Sequence, residues 1–277
     1  MREHARAFAP GSIGNVGPGL DILGLAVAGP GDTVEVAWNG SRDTVVDDAG
    51  APSLPTDPER NTAAIAAMAV LRLVGASHGV RIRVTKGLPL SGGQGGSAAS
   101  AVAGAVAADA LAETGLDHRS LLACCLEAEA TVAGRHLDNI APSLLGGFVL
   151  VRSTDPIDVI ALPVPDNIGV VLVHPAQELR TRDARAALPT AIERQVALDQ
   201  AANVAAMVAG ACLGDLSLLG RAIDDRIAEP VRAGLLPGFN AARDAALTAG
   251  ALGCSISGAG PTAFALTEGM ATADRVA

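Results

Sequence analysis

Hydrophobic and polar residues alternate over Asp32–Trp38 and again over Val80–Thr85, where Val-Arg-Ile-Arg-Val-Thr turns its aliphatic side chains to one side. Period two marks a half-buried strand. His4–Pro10 reads as a shorter strand, and the glycine-rich Gly11–Gly19 as a turn-forming stretch. Asp47–Asp57 reads as loop. Asn61–Val74 is apolar at helical spacing, with Asn61 near its capping position. An alanine-rich helix follows Gly96 to about Glu113, and another spans about His118–Val132. Gly146–Arg152 and Ile157–Leu162 read as a strand pair, and Ile168–His174 as a continuous apolar strand. Asp183–Leu188, Ala191–Leu213 and Gly238–Ala249 are helical. The strand pieces Cys254–Ile256 and Thr262–Leu266 flank Ser257-Gly258-Ala259-Gly260-Pro261. Strands and helices mix without strict alternation, which predicts an α+β fold rather than a doubly wound sheet. The chain divides best near Thr154–Pro156, giving residues 1–155 and 156–277, or slightly later at Pro163–Asp166.

With 277 residues, of which 49% are hydrophobic, the chain can bury a sizeable core. Aromatics make up only 2%, so that core must be built from Ala, Val, Leu and Ile, and abundant Ala and Gly favour close backbone packing. The net charge of −9, with no basic stripe interleaved with aromatics, disfavours a nucleic-acid partner. Lys86, followed by Gly87, is the sole lysine, which excludes a Walker A loop. Cys124, Cys125, Cys212 and Cys254 fit no zinc spacing. The N-terminus carries no secretory pattern, and no long uncharged apolar run stands out as a membrane span, the nearest being Ser97–Ala108. A reduced, cytoplasmic protein with no membrane partner is the expectation.

The chemistry concentrates in Leu88-Pro89-Leu90-Ser91-Gly92-Gly93-Gln94-Gly95-Gly96-Ser97-Ala98-Ala99-Ser100, set between a strand and a helix. Glycines let backbone N–H groups turn toward one point, and the helix start adds unpaired donors and partial positive charge. Together these make an anion site. Residues alone leave a plain surface turn as the alternative. The match of Gly93-x-Gly95-x-x-Ala98 to a dinucleotide fingerprint is weak, because Pro89 and a long loop separate it from the strand. Gly75-Ala76-Ser77-His78-Gly79 lies between helix and strand, the wrong context for a nucleophile elbow.

Three segments together resemble the GHMP kinases: Pro10–Asp21, Pro89–Ser100 and Ser257–Thr262. Gly134–Pro142 with Leu144–Gly147, Thr181–Arg185 with Leu188-Pro189, and Glu229–Arg232 are similar to segments of the homoserine kinases within that family. The resemblance covers nearly the whole chain. It implies two domains, the first like domain 2 of ribosomal protein S5 and the second ferredoxin-like. It also implies an enzyme that transfers a phosphoryl group from ATP, with Mg²⁺, to the hydroxyl of homoserine. The family alternatives are another small-alcohol kinase, or a GHMP-fold protein that binds a nucleotide or metabolite without turnover.

Carried over position by position, the resemblance assigns ATP to Pro89, Leu90, Ser91, Gly92, Gly93, Gln94, Gly95, Gly96, Ser97, Ala98 and Ala99, with Asn61 and Lys86 near the nucleotide. Ser97 and Glu129 match magnesium ligands, with Glu127 as a nearby competitor. Arg185 and Arg232 match residues for a substrate carboxylate, and Asp21 one for its ammonium. Asn15, His136 and Asn139 match residues that orient the substrate. The implied mechanism passes the hydroxyl proton directly to the phosphate, with Asn139 orienting the hydroxyl and Thr181 assisting; Asp138 is an alternative base.

Two positions depart from the family pattern. Gly96 replaces a serine and Gln94 a leucine. The eleven residues Thr267–Ala277 are also too few for the last helix plus closing strand of a ferredoxin-like half. An edge left open there would leave room for another chain, so a homodimer stays open.

Overall fold

The computed structural model describes residues 2–132 and 134–277. Its first sheet is built around two long antiparallel strands, β1 (His4–Gly14) and β2 (Leu23–Trp38). The alternation seen in the sequence is borne out in the second half of β2, where Val34 and Val36 are buried and Glu35 is exposed. Both strands run further than their pattern suggests. A register shift between Pro10 and Ser12 carries β1 on through Gly14, into the stretch read as a turn. β4 (Val80–Thr85) flanks the C-terminal half of β2, β5 (Phe148–Thr154) flanks Leu23–Leu25, and β6 (Ile157–Leu162) pairs with β5. β3 (Val45–Asp48) overlaps the expected loop. It pairs in parallel with β4, and at four residues it is too short to show a period. The order is β3-β4-β2-β5-β6, with β1 also paired to β2.

Helices α1 (Thr62–Leu73), α2 (Gly96–Ala112), α3 (His118–Ala130) and α4 (Ile140–Leu145) share one core with this sheet. Alanine builds it: Ala63, Ala66, Ala67, Ala101 and Ala105 are fully buried. The helices approach so closely that a Cβ on Gly104 would lie 2.3 Å from the Ala63 carbonyl oxygen. Close backbone packing makes up for the scarcity of large aromatics in the chain.

The second sheet has the order β7 (Ile168–Val173), β9 (Ala263–Glu268), β8 (Gly253–Ile256), all antiparallel. Around it lie α5 (Thr181–Ala186), α6 (Arg194–Leu213), α7 (Leu216–Ala222), α8 (Glu229–Arg232), α9 (Phe239–Thr248) and α10 (Met270–Val276). The last helix expected for a ferredoxin-like half is thus formed, and among the described residues the sheet has three strands. β6 belongs to the first sheet, so a division at 155/156 would cut the β5–β6 hairpin, whereas one at Pro163–Asp166 cuts no sheet. Among the described residues α6, not Ser97–Ala108, is the one helix long and apolar enough to cross a membrane, by length and composition only. Here it packs against α7, with Gln200, Met207, Gly210 and Ala211 buried.

The two sheets meet through a shared cluster in which Ile13, Val16, Leu23 and Phe148 pack with Met207, Leu219, Phe264 and Leu266. This cluster joins the end of β1, the turn after it and β9, and so brings the first and third glycine motifs together beside the phosphate loop, where the Gly258 N–H donates to the Gly14 carbonyl (3.0 Å).

Candidate active site

The loop between β4 and α2 forms one wall of a cleft of about 470 Å³. Ser91, Gly93 and Gly95 have φ of 50°, 72° and 68°, the left-handed region that turns successive N–H groups toward one side. Gly95 caps α2 with no side-chain hydrogen bond, so the first-turn donors of the helix are left for a ligand. Glycine is required at two of these positions. A Cβ on Gly95 would meet Ser12 Oγ at 2.2 Å, and one on Gly93 the Gly260 carbonyl oxygen at 2.6 Å.

The loop carbonyls are held from behind. Ser257 Oγ donates to the Gly93 carbonyl (2.6 Å), Thr262 Oγ1 to the Gly92 carbonyl (2.5 Å), and the Ser12 N–H to the Gln94 carbonyl (3.1 Å). With their carbonyls fixed on the outer side, the loop N–H groups face inward. Ser12, Ser257 and Thr262 therefore act on the loop, a role that the sequence left unassigned although all three lie in its motifs.

Pro89, Leu90, Ser91, Gly92, Gly93, Gly95, Gly96 and Ser97 line the cleft, as do Asn61 and Lys86. Three residues expected at the nucleotide do not. Gln94 is buried and donates to Thr262 Oγ1 (3.2 Å), while Ala98 and Ala99 turn their methyls into the core of the first half. Asn61 caps α1 by accepting from the Ala64 N–H (3.2 Å) and also donates to the Pro55 carbonyl (2.9 Å), which fixes the neighbouring loop.

Ser97 Oγ donates to Glu129 Oε2 at 3.1 Å. Glu129 is buried and has no cation in contact among the described residues; burial pushes its carboxyl up to about 7, against the Ser97 hydrogen bond. Its competitor Glu127 lies on the outer face of α3 in an ion pair with Arg72 (2.5 Å). A hydroxyl and one carboxylate suit Mg²⁺, which completes its shell with water and phosphate oxygens. Among the described residues no cluster of three or more His, Cys, Asp or Glu offers a preformed protein cage.

At the other end of the cleft, Arg185 grips Asp21 through two bonds, of 2.7 and 3.3 Å, and His136 Nδ1 lies 3.4 Å from the same carboxylate. Burial holds His136 below the ordinary imidazole range, despite Asp21 beside it. Asn15 Nδ2 donates to the Gly258 carbonyl (3.0 Å), and its Oδ1 accepts from the Asp21 N–H (3.1 Å), which fixes the turn that presents Asp21. Arg232 is 2% exposed and donates to the carbonyls of Gly258 (2.9 Å) and Ala184 (3.4 Å), leaving Nη2 for a ligand. Thr181, at the start of α5, lines the same end.

Between the two ends lies Asn139, whose Oδ1 accepts from Ser12 Oγ (3.0 Å) beside Gly95. Its Nδ2 donates to Asp138 Oδ2 (3.3 Å). Asp138 also lines the cleft; burial and the Asp21 charge push its carboxyl up to about 7.

Residues 61–147 match the GHMP kinases N-terminal domain, and residues 201–277 the GHMP kinases C-terminal domain. The homoserine kinase of Chlorobaculum tepidum is 42% identical over 284 residues, spanning 97% of this chain and 87% of that protein. The homoserine kinase of Arabidopsis thaliana is 44% identical over 272 residues, spanning 95% of this chain and 74% of that protein. The crystal structure of homoserine kinase from Cytophaga hutchinsonii matches with a TM-score of 0.95 at 43% identity, covering 100% of this chain and 89% of that one. An L. major mevalonate kinase, 17% identical with a TM-score of 0.74 over 98% of this chain and 89% of its own, shares the fold alone. The chain belongs to the GHMP kinase family, on its homoserine kinase branch.

Proposed function

We propose that this cleft transfers the γ-phosphoryl group of ATP to the side-chain hydroxyl of L-homoserine, giving O-phosphohomoserine, a step toward threonine. One observation carries the reading. A cradle of backbone N–H groups and an amino-acid-sized pair of opposite charges, Asp21 and Arg185, line one cleft with Asn139 between them. A kinase that acted on an alcohol without an amino acid head would have no use for that pair. The 41–44% identity to homoserine kinases supports the same substrate.

The loop N–H groups and the first turn of α2 hold the triphosphate. Ser97 and Glu129 hold Mg²⁺, which supplies charge neutralisation on the phosphates when bound. The substrate ammonium is received by Asp21, and its carboxylate by Arg185 and the free Nη2 of Arg232. His136 stays uncharged near neutral pH, because burial lowers its pKa, and so packs against the substrate without repelling its ammonium. Asn139, fixed by Ser12, orients the hydroxyl toward the phosphate, with Thr181 at the same end. Its proton passes to the transferred phosphoryl group.

Asp138 supports a second reading, in which it takes that proton. A buried carboxyl lifted to about 7 beside Asn139 is tuned as a general base would be. The buried free thiols Cys124, Cys125 and Cys254 fit a reducing compartment such as the cytoplasm. The test of substrate class is turnover with ATP and homoserine beside threonine and mevalonate. Homoserine should give the highest kcat/KM by at least about tenfold. Equal or better turnover of mevalonate would overturn the assignment.

A further inference from the structure

Asp32 has no part in the chemistry described so far, yet it is a fully buried carboxylate directly under the phosphate loop. A charge in that position is costly unless it is paired and hydrogen-bonded. Asp32 is both. Its Oδ1 accepts from the N–H groups of Gly87 (3.1 Å) and Leu88 (3.3 Å), where the loop leaves β4. Its Oδ2 accepts from Ser100 Oγ (2.6 Å), one turn into α2, and pairs with the ammonium of Lys86.

Lys86 in turn donates to the Gly96 carbonyl (3.1 Å) and to Ser100 Oγ (3.1 Å). An ammonium has three protons, and Asp32, Gly96 and Ser100 take all three. The sole lysine of the chain therefore has no donor free for a phosphate, although it borders the cleft. Its charge is also neutralised locally, so the cradle attracts phosphate through its N–H groups and not through Lys86.

We infer that Asp32 is a positioning residue for the phosphate loop, acting through Lys86 and Ser100. The cluster bolts three pieces together: β2, the exit of β4 and the first turn of α2. Both ends of the loop, Gly87–Leu88 and Gly96, are thereby fixed to one buried carboxylate. The rotation of the first turn decides where Ser97 Oγ and the helix N–H groups point, so the cluster sets the geometry of triphosphate binding. The open position at Gly96 fits this arrangement, since the nearest atom to a Cβ there would be Lys86 Nζ, at 3.5 Å.

The inference rests on the reading of the loop as the ATP site, and the test separates the two. KM for ATP and for homoserine, kcat and Tm are measured for Asp32→Asn, Lys86→Met, the double variant, Ser100→Ala and Ser97→Ala. Asp32→Asn should raise KM for ATP about tenfold or more and leave KM for homoserine within about twofold. The double variant should be less impaired in KM for ATP than Lys86→Met alone, because no buried charge is then left unpaired. If Asp32→Asn does not fold, Ser100→Ala serves; it removes one link without stranding a charge and should raise KM for ATP by about threefold. Three results would overturn the inference: an unchanged KM for ATP in these variants, a lowered one in Asp32→Asn because a freed lysine binds phosphate, or a fall in Tm as the sole effect. Should Ser97→Ala also leave ATP kinetics unchanged, the loop itself is not the ATP site and the broader reading fails.

Discussion

Ser97 and Glu129 stand 32 positions apart in the chain and meet through a 3.1 Å hydrogen bond at the edge of the phosphate loop. Burial holds the Glu129 carboxyl up near 7, so its negative charge awaits a cation. Two consequences follow for magnesium and for pH. Glu129→Gln should raise the Mg²⁺ concentration for half-maximal activity by about tenfold or more, and Ser97→Ala should do so by less. Without Mg²⁺ or nucleotide, the ionised Glu129 destabilises the fold. From about 4.5 up to about 7 the folded state binds more protons at this group than the unfolded state, so stability falls as pH rises through that window. Thermal melts at pH 8 should show Glu129→Gln above the parent by on the order of 5 °C, and near pH 4 the difference should vanish. A Tm for Glu129→Gln below that of the parent at pH 8 would contradict this account of the site.

Gly96 and Gly95 are neighbours with opposite tolerance. A Cβ on Gly96 would meet only ordinary contacts, at 3.5 Å to Lys86 Nζ and 3.7 Å to the Pro89 carbonyl. Gly96→Ser should fold with a Tm within about 3 °C of the parent, and any gain in ATP affinity would come from its new hydroxyl. Gly95→Ala places a methyl 2.2 Å from Ser12 Oγ at a φ of 68°. That variant should lose ATP turnover by about a hundredfold or more, since Ser12 also positions Asn139. Comparable kinetics for the two variants would show that the loop is not held as described.

Asp138 decides between the two proton routes. With direct transfer to the phosphoryl group, Asp138→Asn keeps kcat within about tenfold of the parent. A loss of about a thousandfold or more in kcat, with unchanged KM for homoserine, would make Asp138 the base. The pH–rate profile adds a second readout. The acid limb near pH 7 expected of a base with the raised pKa of Asp138 should be missing from the variant if Asp138 is that base, and kept if Glu129 causes it.

Asp21 and Arg185 should separate substrate from nucleotide. Asp21→Asn loses the ammonium partner and loosens Arg185, so KM for homoserine should rise about tenfold to a hundredfold while KM for ATP stays within about threefold. Arg185→Lys keeps the charge but not the two-pronged grip and should fall between the parent and Arg185→Ala. Equal losses toward ATP and homoserine would place this pair outside the substrate end.

The α+β class and most elements were legible from periodicity, because Val80–Thr85 and Asn61–Val74 each carry a clear repeat and face one core. β3 was not, since four residues hold too little pattern and its pairing with β4 bridges a gap of about thirty residues. The phosphate loop was legible because an anion cradle must be local, made of consecutive N–H groups. The rest of the site is non-local. The resemblance pointed to Glu129 over Glu127, but the physical difference between them is the turn of α3, which puts Glu129 inward and pairs Glu127 with Arg72. Gln94 sits inside the motif yet serves Thr262, 168 positions away. Asp32 looked like the polar start of an alternating strand, and its partners lie 54 to 68 positions away.

The most direct test of the account is ³¹P NMR of a reaction containing the protein, ATP, Mg²⁺ and L-homoserine. A new phosphomonoester resonance coupled to the side-chain CH₂ protons of homoserine should grow as ADP forms, and it should grow more slowly with Ser97→Ala at the same Mg²⁺ concentration. ADP appearing with inorganic phosphate alone, or nucleotide binding with no ester formed, would contradict the claim that this cleft joins the γ-phosphoryl group to that hydroxyl.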